Sequence, residues 1–210
     1  VSPAREVAPA AGYDPPRKSD RTRQRLIAAA AATLSRVGYA GTRLVDVAAE
    51  AGLQAPAIYY YFESREKLIE EVVVVGTIQL RTYVERALED APADATPLRR
   101  LDIIIEAHLR QLMSEPSFAH AVIRNIGQLP EAIRARQLVE ERKYAKIWRG
   151  VLRDASNDGS LRPGMNPDLA QALIVGTLNW ATEWWSPKRG SLDTLIATAQ
   201  SIIQHGVATP

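Results

Sequence analysis

Residues 42–62 read TRLVDVAAEAGLQAPAIYYYF, and this stretch limits the fold more than any other part of the chain. Leu44, Val47, Ala48 and Ala51 fall at i, i+3, i+4 and i+7, the spacing of one helical face. Gly52 stops that helix. Pro56 then stands near the start of a second short helix, where its missing N–H has no intrahelical partner to lose. Adjacent residues on a helix diverge by about 100°, so Tyr59, Tyr60, Tyr61 and Phe62 cannot all face one core. Ile58 and Phe62, four apart, can pack inward together. Tyr59 and Tyr60 then face elsewhere, with phenolic hydroxyls able to donate to phosphate oxygens. Two short helices joined by a tight glycine turn, behind a longer helix, make a helix-turn-helix plan.

The rest of the chain reads as helix as well. The spacing of Leu26, Ile27, Ala30, Leu34 and Val37 predicts a first helix over 21–37, with Asp20 as N-cap and Gly38 as its stop. Thr42 is expected to cap the second helix, and Ser64 a long one running from Arg65 towards Asp90. The segment APADATP breaks the pattern, and further helices are expected over 97–113, 117–127, 131–155, 167–185 and 191–205. EVVVVG is β-branched but continues the helical register from Leu68, and no alternating run demands a strand. The expected fold class is all α.

Composition removes several function classes. With no cysteine there is no disulfide, thiolate metal site or cysteine nucleophile, which fits a reducing cytoplasm. No window approaches 18 apolar residues, so no membrane partner is expected, and the first twenty residues lack a signal-peptide core. His108, His120 and His205 share no helical face at ligand spacing, and Glu140 and Glu141 diverge as neighbours. No glycine-rich loop follows a strand. No catalytic residue, metal or cofactor is therefore expected. The net charge of +2 is small, but Arg17, Lys18, Arg21, Arg23 and Arg25 face only Asp20 in their stretch. Residues 1–19 read as a flexible basic arm for phosphate. The dominance of arginine over lysine and the many alanines fit a GC-rich bacterial genome.

Residues 22–72 closely resemble the DNA-binding domain of TetR-family transcriptional regulators. The resemblance rests on GTRLVDVAAEAGLQAPAIYYYFESREKLI, with the family's turn at Ala51, Gly52 and Leu53. It implies a three-helix DNA-binding domain over 20–66 and a larger helical ligand-binding and dimerisation domain over 67–210. It also implies that Thr42 contacts phosphate, and that Gln54, Ala55, Pro56 and Ala57 lie in the recognition helix near the bases. Tyr59 and Tyr60 take the backbone-clamping places, and Arg65 the basic position that holds a phosphate. Arg21 and Arg43 complete the expected interface. Two departures stand out: Val45 replaces a base-reading arginine of many members, and Tyr61 a common histidine.

The implied partners are a palindromic operator in double-stranded DNA, a second copy of the chain, and a small-molecule effector that releases a repressor. The family pairs its last two helices across a two-fold axis, and Gly176 would let those helices approach. GSLRPGMNP and GTLNWATEWWSPKRG resemble the subgroup that responds to acyl-CoA thioesters of fatty-acid or sterol-ring degradation. An acyl-CoA needs an apolar channel, for which Leu112, Phe118, Trp148 and Trp180 are candidates, and cations for its phosphates. Arg124, Arg142, Lys146 and Arg149 are the candidate cations. His108, Asn179 and Trp184 complete the expected ligand site. An efflux-pump regulator responding to an apolar drug-like compound is the alternative reading, and an all-helical enzyme or adaptor the remote one.

Overall fold

The computed structural model describes residues 17–209. Among them the order is α1 (Lys18–Gly41), α2 (Leu44–Glu50), α3 (Ala55–Ile58), α4 (Arg65–Glu89), α5 (Pro97–Ser114), α6 (Pro116–Asn125), α7 (Glu131–Asn157), α8 (Pro167–Trp184) and α9 (Leu192–Val207). Short 3₁₀ turns lie at Ile126–Gln128 and Pro187–Arg189. The all-α expectation holds, and the valine run of α4 is helical with Val72, Val73 and Val74 buried.

Local chemistry sets the helix ends. Ser64 Oγ accepts the Lys67 N–H at 3.1 Å, as expected of an N-cap. Thr96, Asn166 and Ser191 do the same for α5, α8 and α9. Pro97, Pro116 and Pro167 occupy first-turn positions, where no intrahelical bond is lost.

Two expected caps are corrected. Helix α1 starts at Lys18 behind Arg17, so Asp20 lies in its first turn instead of capping it. Lys18 and Ser19, read as part of the arm, are therefore helical; residues 1–16 of that arm lie outside the described residues. Thr42 ends α1 instead of starting α2. The helix breaks at Gly38 (φ 72°, ψ 177°), and Thr42 Oγ1 donates back to the Gly38 carbonyl at 2.7 Å.

Two hydrophobic cores stack along the molecule. The first joins α1, α2 and α3 to the start of α4, and includes Phe118 and Ala121 of α6 and Ile133 of α7. The second is built by α5, α7, α8 and α9, with Val84 from the far end of α4. Helix α4 thus runs through the expected boundary at residues 66 and 67 and belongs to both cores. Any tilt of α4 must be felt in both.

Candidate functional site

The first face is built by α2, α3 and the turn between them. Gly52 takes φ 66°, a left-handed turn that glycine adopts at little cost. The Leu53 N–H reaches the Ala48 carbonyl at 2.8 Å and the Gly52 N–H the Ala49 carbonyl at 3.0 Å. Arg25 locks the turn from outside by donating to the Ala51 carbonyl at 2.5 Å. Behind α3, Ile58 and Phe62 are buried in the first core, as their spacing predicts. In front, Tyr60 is 83% exposed and Tyr59 63%. Tyr61, half-buried, packs edge-on against Tyr60 with ring centroids 5.0 Å apart.

Gln54, Pro56, Arg43, Val45 and Arg21 are exposed on the surface, and Ala55 and Ala57 are half-buried. No ion pair engages Arg21 or Arg43 among the described residues. Two expected phosphate contacts are otherwise engaged. Thr42 is 2% exposed, with its hydroxyl spent on the Gly38 carbonyl, so its side chain has no open face to offer. Arg65 donates through Nε to the Thr42 carbonyl at 2.6 Å, through Nη2 to the Tyr39 carbonyl, and pairs with Glu66 at 2.9 Å. Its guanidinium also lies 4.4 Å from the centroid of the Tyr39 ring. Arg65 is the latch of the loop between α1 and α2, whose carbonyls it satisfies. Arg23 is likewise turned inward, to Glu71 at 2.8 Å and onto the Phe62 ring.

The second feature is a cavity of about 440 Å³ walled by α4, α5, α6, α7 and α8. Apolar residues such as Leu80, Val122 and Val175 supply much of its wall. Glu115, Glu141, Gln79 and Gln137 bring polar groups to the same wall, and no lysine or arginine lines it among the described residues.

Of the residues expected to bind a ligand, Leu112, Phe118 and Asn179 line this cavity. The others do not. His108 and Trp148 are fully buried behind the wall, because their positions on α5 and α7 face the second core. Arg124 is held by Glu183 at 2.6 Å, a bridge from α6 to α8. Arg142 and Lys146 are exposed on α7, one residue beyond the lining residues Glu141 and Ala145. Trp180 and Trp184 point outwards at 63% and 43% exposure. Gly176 lines the cavity at its exposed edge, and a Cβ there would meet nothing within 4 Å.

Residues that sequence reasoning missed include Gln137 and Tyr144, seven apart on the buried face of α7. Glutamine in an apolar register was the available signal. Tyr144 links the cavity to the core behind it, its hydroxyl 2.6 Å from His108 Nδ1. Burial holds the His108 pKa down to about 4 and pushes the Tyr144 phenol well above its ordinary range. His108 is thus neutral when folded, while the unfolded chain takes up its proton near pH 6.5. Between those values the unfolded state binds more protons, so stability falls as pH drops. The expected loss from this group between pH 7.5 and pH 5 is about 2 kcal/mol. Urea unfolding at both pH values checks it: His108→Phe should remove that part of the difference, and an equal difference in both proteins would refute it.

The C-terminal end of α6 touches α1 directly. Asn125, 2% exposed, accepts the Tyr39 N–H at 2.9 Å and donates to the Leu34 carbonyl at 3.4 Å. Its neighbours Val122, Ile123 and Ile126 line the cavity. One short helix therefore has a face on the cavity and a grip on the end of α1.

Comparison with known proteins fits this architecture. Residues 26–72 match the family model described as bacterial regulatory proteins, tetR family, and residues 94–207 that of a tetracyclin repressor-like C-terminal domain. The chain is 24% identical over 181 residues to the fatty acid metabolism regulator protein of Bacillus subtilis (strain 168), covering 85% of this chain and 90% of that protein. It is 27% identical over 181 residues to the HTH-type transcriptional repressor KstR2 of Mycolicibacterium smegmatis, covering 83% and 84%. In fold it is similar to AibR, solved in complex with isovaleryl coenzyme A and operator DNA, with a TM-score of 0.75, 20% identity and coverage of 88% and 97%. With a helix-turn-helix, a walled cavity behind it and family models matching both halves, the chain belongs to the TetR family and is a DNA-binding transcriptional regulator, not an enzyme.

Proposed function

We propose that the chain acts in the cytoplasm as a homodimer on a palindromic operator and is released from it by an acyl-CoA thioester whose acyl group enters the cavity. The observation that carries the effector-released reading is the double duty of α6, which lines the cavity and holds the end of α1 through Asn125. A ligand that spreads the cavity moves α6, and with it the helix-turn-helix. Release requires only that the ligand bind the displaced arrangement better than the DNA-competent one.

Several features support the finer parts. Leu169 and Leu173 of α8 are 65% and 73% exposed, and Ile202 of α9 is 68% exposed. With Trp180 and Trp184 they give these two helices the apolar outer surface that a four-helix dimer interface needs. A dimer would set its two recognition helices roughly 34–36 Å apart, one turn of DNA. Gln54, Pro56 and Ala57 would then read bases, with Tyr59, Tyr60, Arg21 and Arg43 on the phosphates.

An acyl thioester is uncharged where it meets the cavity, which suits a wall holding Glu115 and Glu141 but no cation. Arg142 and Lys146, four apart, exposed and each next in sequence to a lining residue, would meet the phosphates of coenzyme A outside the wall. The names of the relatives, a fatty acid metabolism regulator and a fold neighbour solved with isovaleryl coenzyme A, point the same way.

The test is a titration of the protein–operator complex, followed by fluorescence anisotropy, with acyl-CoAs of increasing length, the free acids and CoA alone. Thioesters should release DNA, each buried methylene adding about 0.8 kcal/mol until the cavity is full. Free acids should fail, since their carboxylate would face Glu115 and Glu141. Release by an apolar drug-like compound but by no thioester would favour the efflux-regulator reading.

A further inference from the structure

Gln137 is a polar side chain at a core position, 3% exposed, on the wall of the cavity. Its amide nitrogen donates to Glu141 Oε2 at 3.2 Å and lies 3.5 Å from Thr77 Oγ1. The Thr77 hydroxyl donates its own proton to the Val73 carbonyl at 2.8 Å, so it can only accept from Gln137. Turning the amide over would set its oxygen against two acceptors. The orientation is therefore fixed, and it leaves Gln137 Oε1 buried with no hydrogen-bond partner. On α4, Gln79 Oε1 is a second buried acceptor without a partner, and it too belongs to a lining residue. Buried acceptors are normally satisfied, and each exception calls for a reason.

We infer that Gln137 is the polar recognition point of the cavity: its Oε1, closed off behind the wall, accepts an O–H or N–H once an effector spreads that wall, from a part of the effector that carries no negative charge. The inference rests on the cavity being the effector site but not on the effector being a thioester. The orphaned acceptor gains its missing bond only when the ligand brings a donor, while an isosteric ligand without one leaves it unsatisfied. The Glu141 carboxylate, which accepts from the Gln137 amide and has no lining cation to offset it, disfavours an anionic group beside that amide. For an acyl-CoA the donor has two sources, a hydroxyl on the acyl group or an amide N–H of the pantetheine arm.

The experiment compares two probes of nearly equal shape, 2-naphthol and naphthalene, binding to the full chain by tryptophan fluorescence. The wild type should bind 2-naphthol more tightly by about tenfold or more. Gln137→Leu, and Gln137→Met as a second variant, should reduce that preference to within twofold while melting as cooperatively as the wild type. Equal binding of the two probes by the wild type, a preference that survives both substitutions, or no binding of either probe overturns the inference. A matched pair of decanoyl-CoA and hydroxydecanoyl-CoA then separates the sources. If Gln137→Leu weakens only the hydroxylated thioester, the donor is on the acyl group; if it weakens both equally, the pantetheine amide supplies it. Failure of every thioester, with the naphthol preference intact, would remove the acyl-CoA reading and leave this one standing.

Discussion

Ala57→Tyr is expected to lower operator affinity by about ten- to a hundredfold while leaving binding to unrelated DNA within a few fold. Helix α3 has a single α-helical turn, anchored from behind by Ile58 and Phe62. Anchored so, it cannot retreat to make room for a ring. A bulky side chain at Ala57 would hold the backbone away from the base edges, and giving up one good side-chain–base hydrogen-bonded pair costs about 1–3 kcal/mol. Phosphate contacts from exposed Tyr59, Tyr60, Arg21 and Arg43 would survive, because they flank the helix instead of facing the bases. Tyr60→Phe is the counterpart. It removes one donor to phosphate and should weaken operator and unrelated DNA by similar factors. Anisotropy titrations of both DNAs at one salt concentration check the pair. Equal losses on the two DNAs for Ala57→Tyr would mean that α3 does not read bases.

Arg65→Met should destabilise the chain by about 3 kcal/mol and, through that, lose DNA of any sequence. The Arg65 side chain is 24% exposed and supplies charged donors to the Thr42 and Tyr39 carbonyls. Hydrogen bonds to charged groups contribute about 1.5–3 kcal/mol each, and the stack on Tyr39 about 0.5–1 more. Part of this is recovered when water reaches the freed carbonyls, which leaves the figure above. In a chain of this size it corresponds to a melting temperature lower by about 6–12 °C. The loop that Arg65 holds sets α2 against α1, so its loosening blurs the whole reading face. A phosphate-binding Arg65 makes the opposite prediction: an unchanged melting temperature, with a salt dependence of DNA binding shallower by about one unit. Thermal melts and salt titrations of one protein preparation decide between the two roles.

The helices were legible in the chain because their signals are local. Periodicity placed α4 through its valine run, and Ser64 marked its start as the expected N-cap. The turn at Gly52 and the inward pair Ile58 and Phe62 followed from spacing alone, since on one helix spacing is geometry. Thr42 shows where this ends. A threonine between two helices can cap either one, and only the backbone break at Gly38 brings the carbonyl it bonds within reach.

Residue type and helical register, then, were enough to determine an all-α chain, its helix-turn-helix and the outward tyrosines. What only the tertiary structure decided depends on which helices become neighbours. Arg65 was assigned to phosphate because its charge was read without the Tyr39 and Thr42 carbonyls, which lie 26 and 23 positions away in sequence. The tryptophans were assigned to a pocket because size and apolarity do not say which face of a helix is covered. Trp148 went into the core and Trp180 to the surface. The cavity joins side chains from five helices, and Gln137 matters there only because Thr77 and Glu141 fix its amide. Contacts between residues distant in sequence are set by packing, and a pattern read along one helix carries no record of its neighbours.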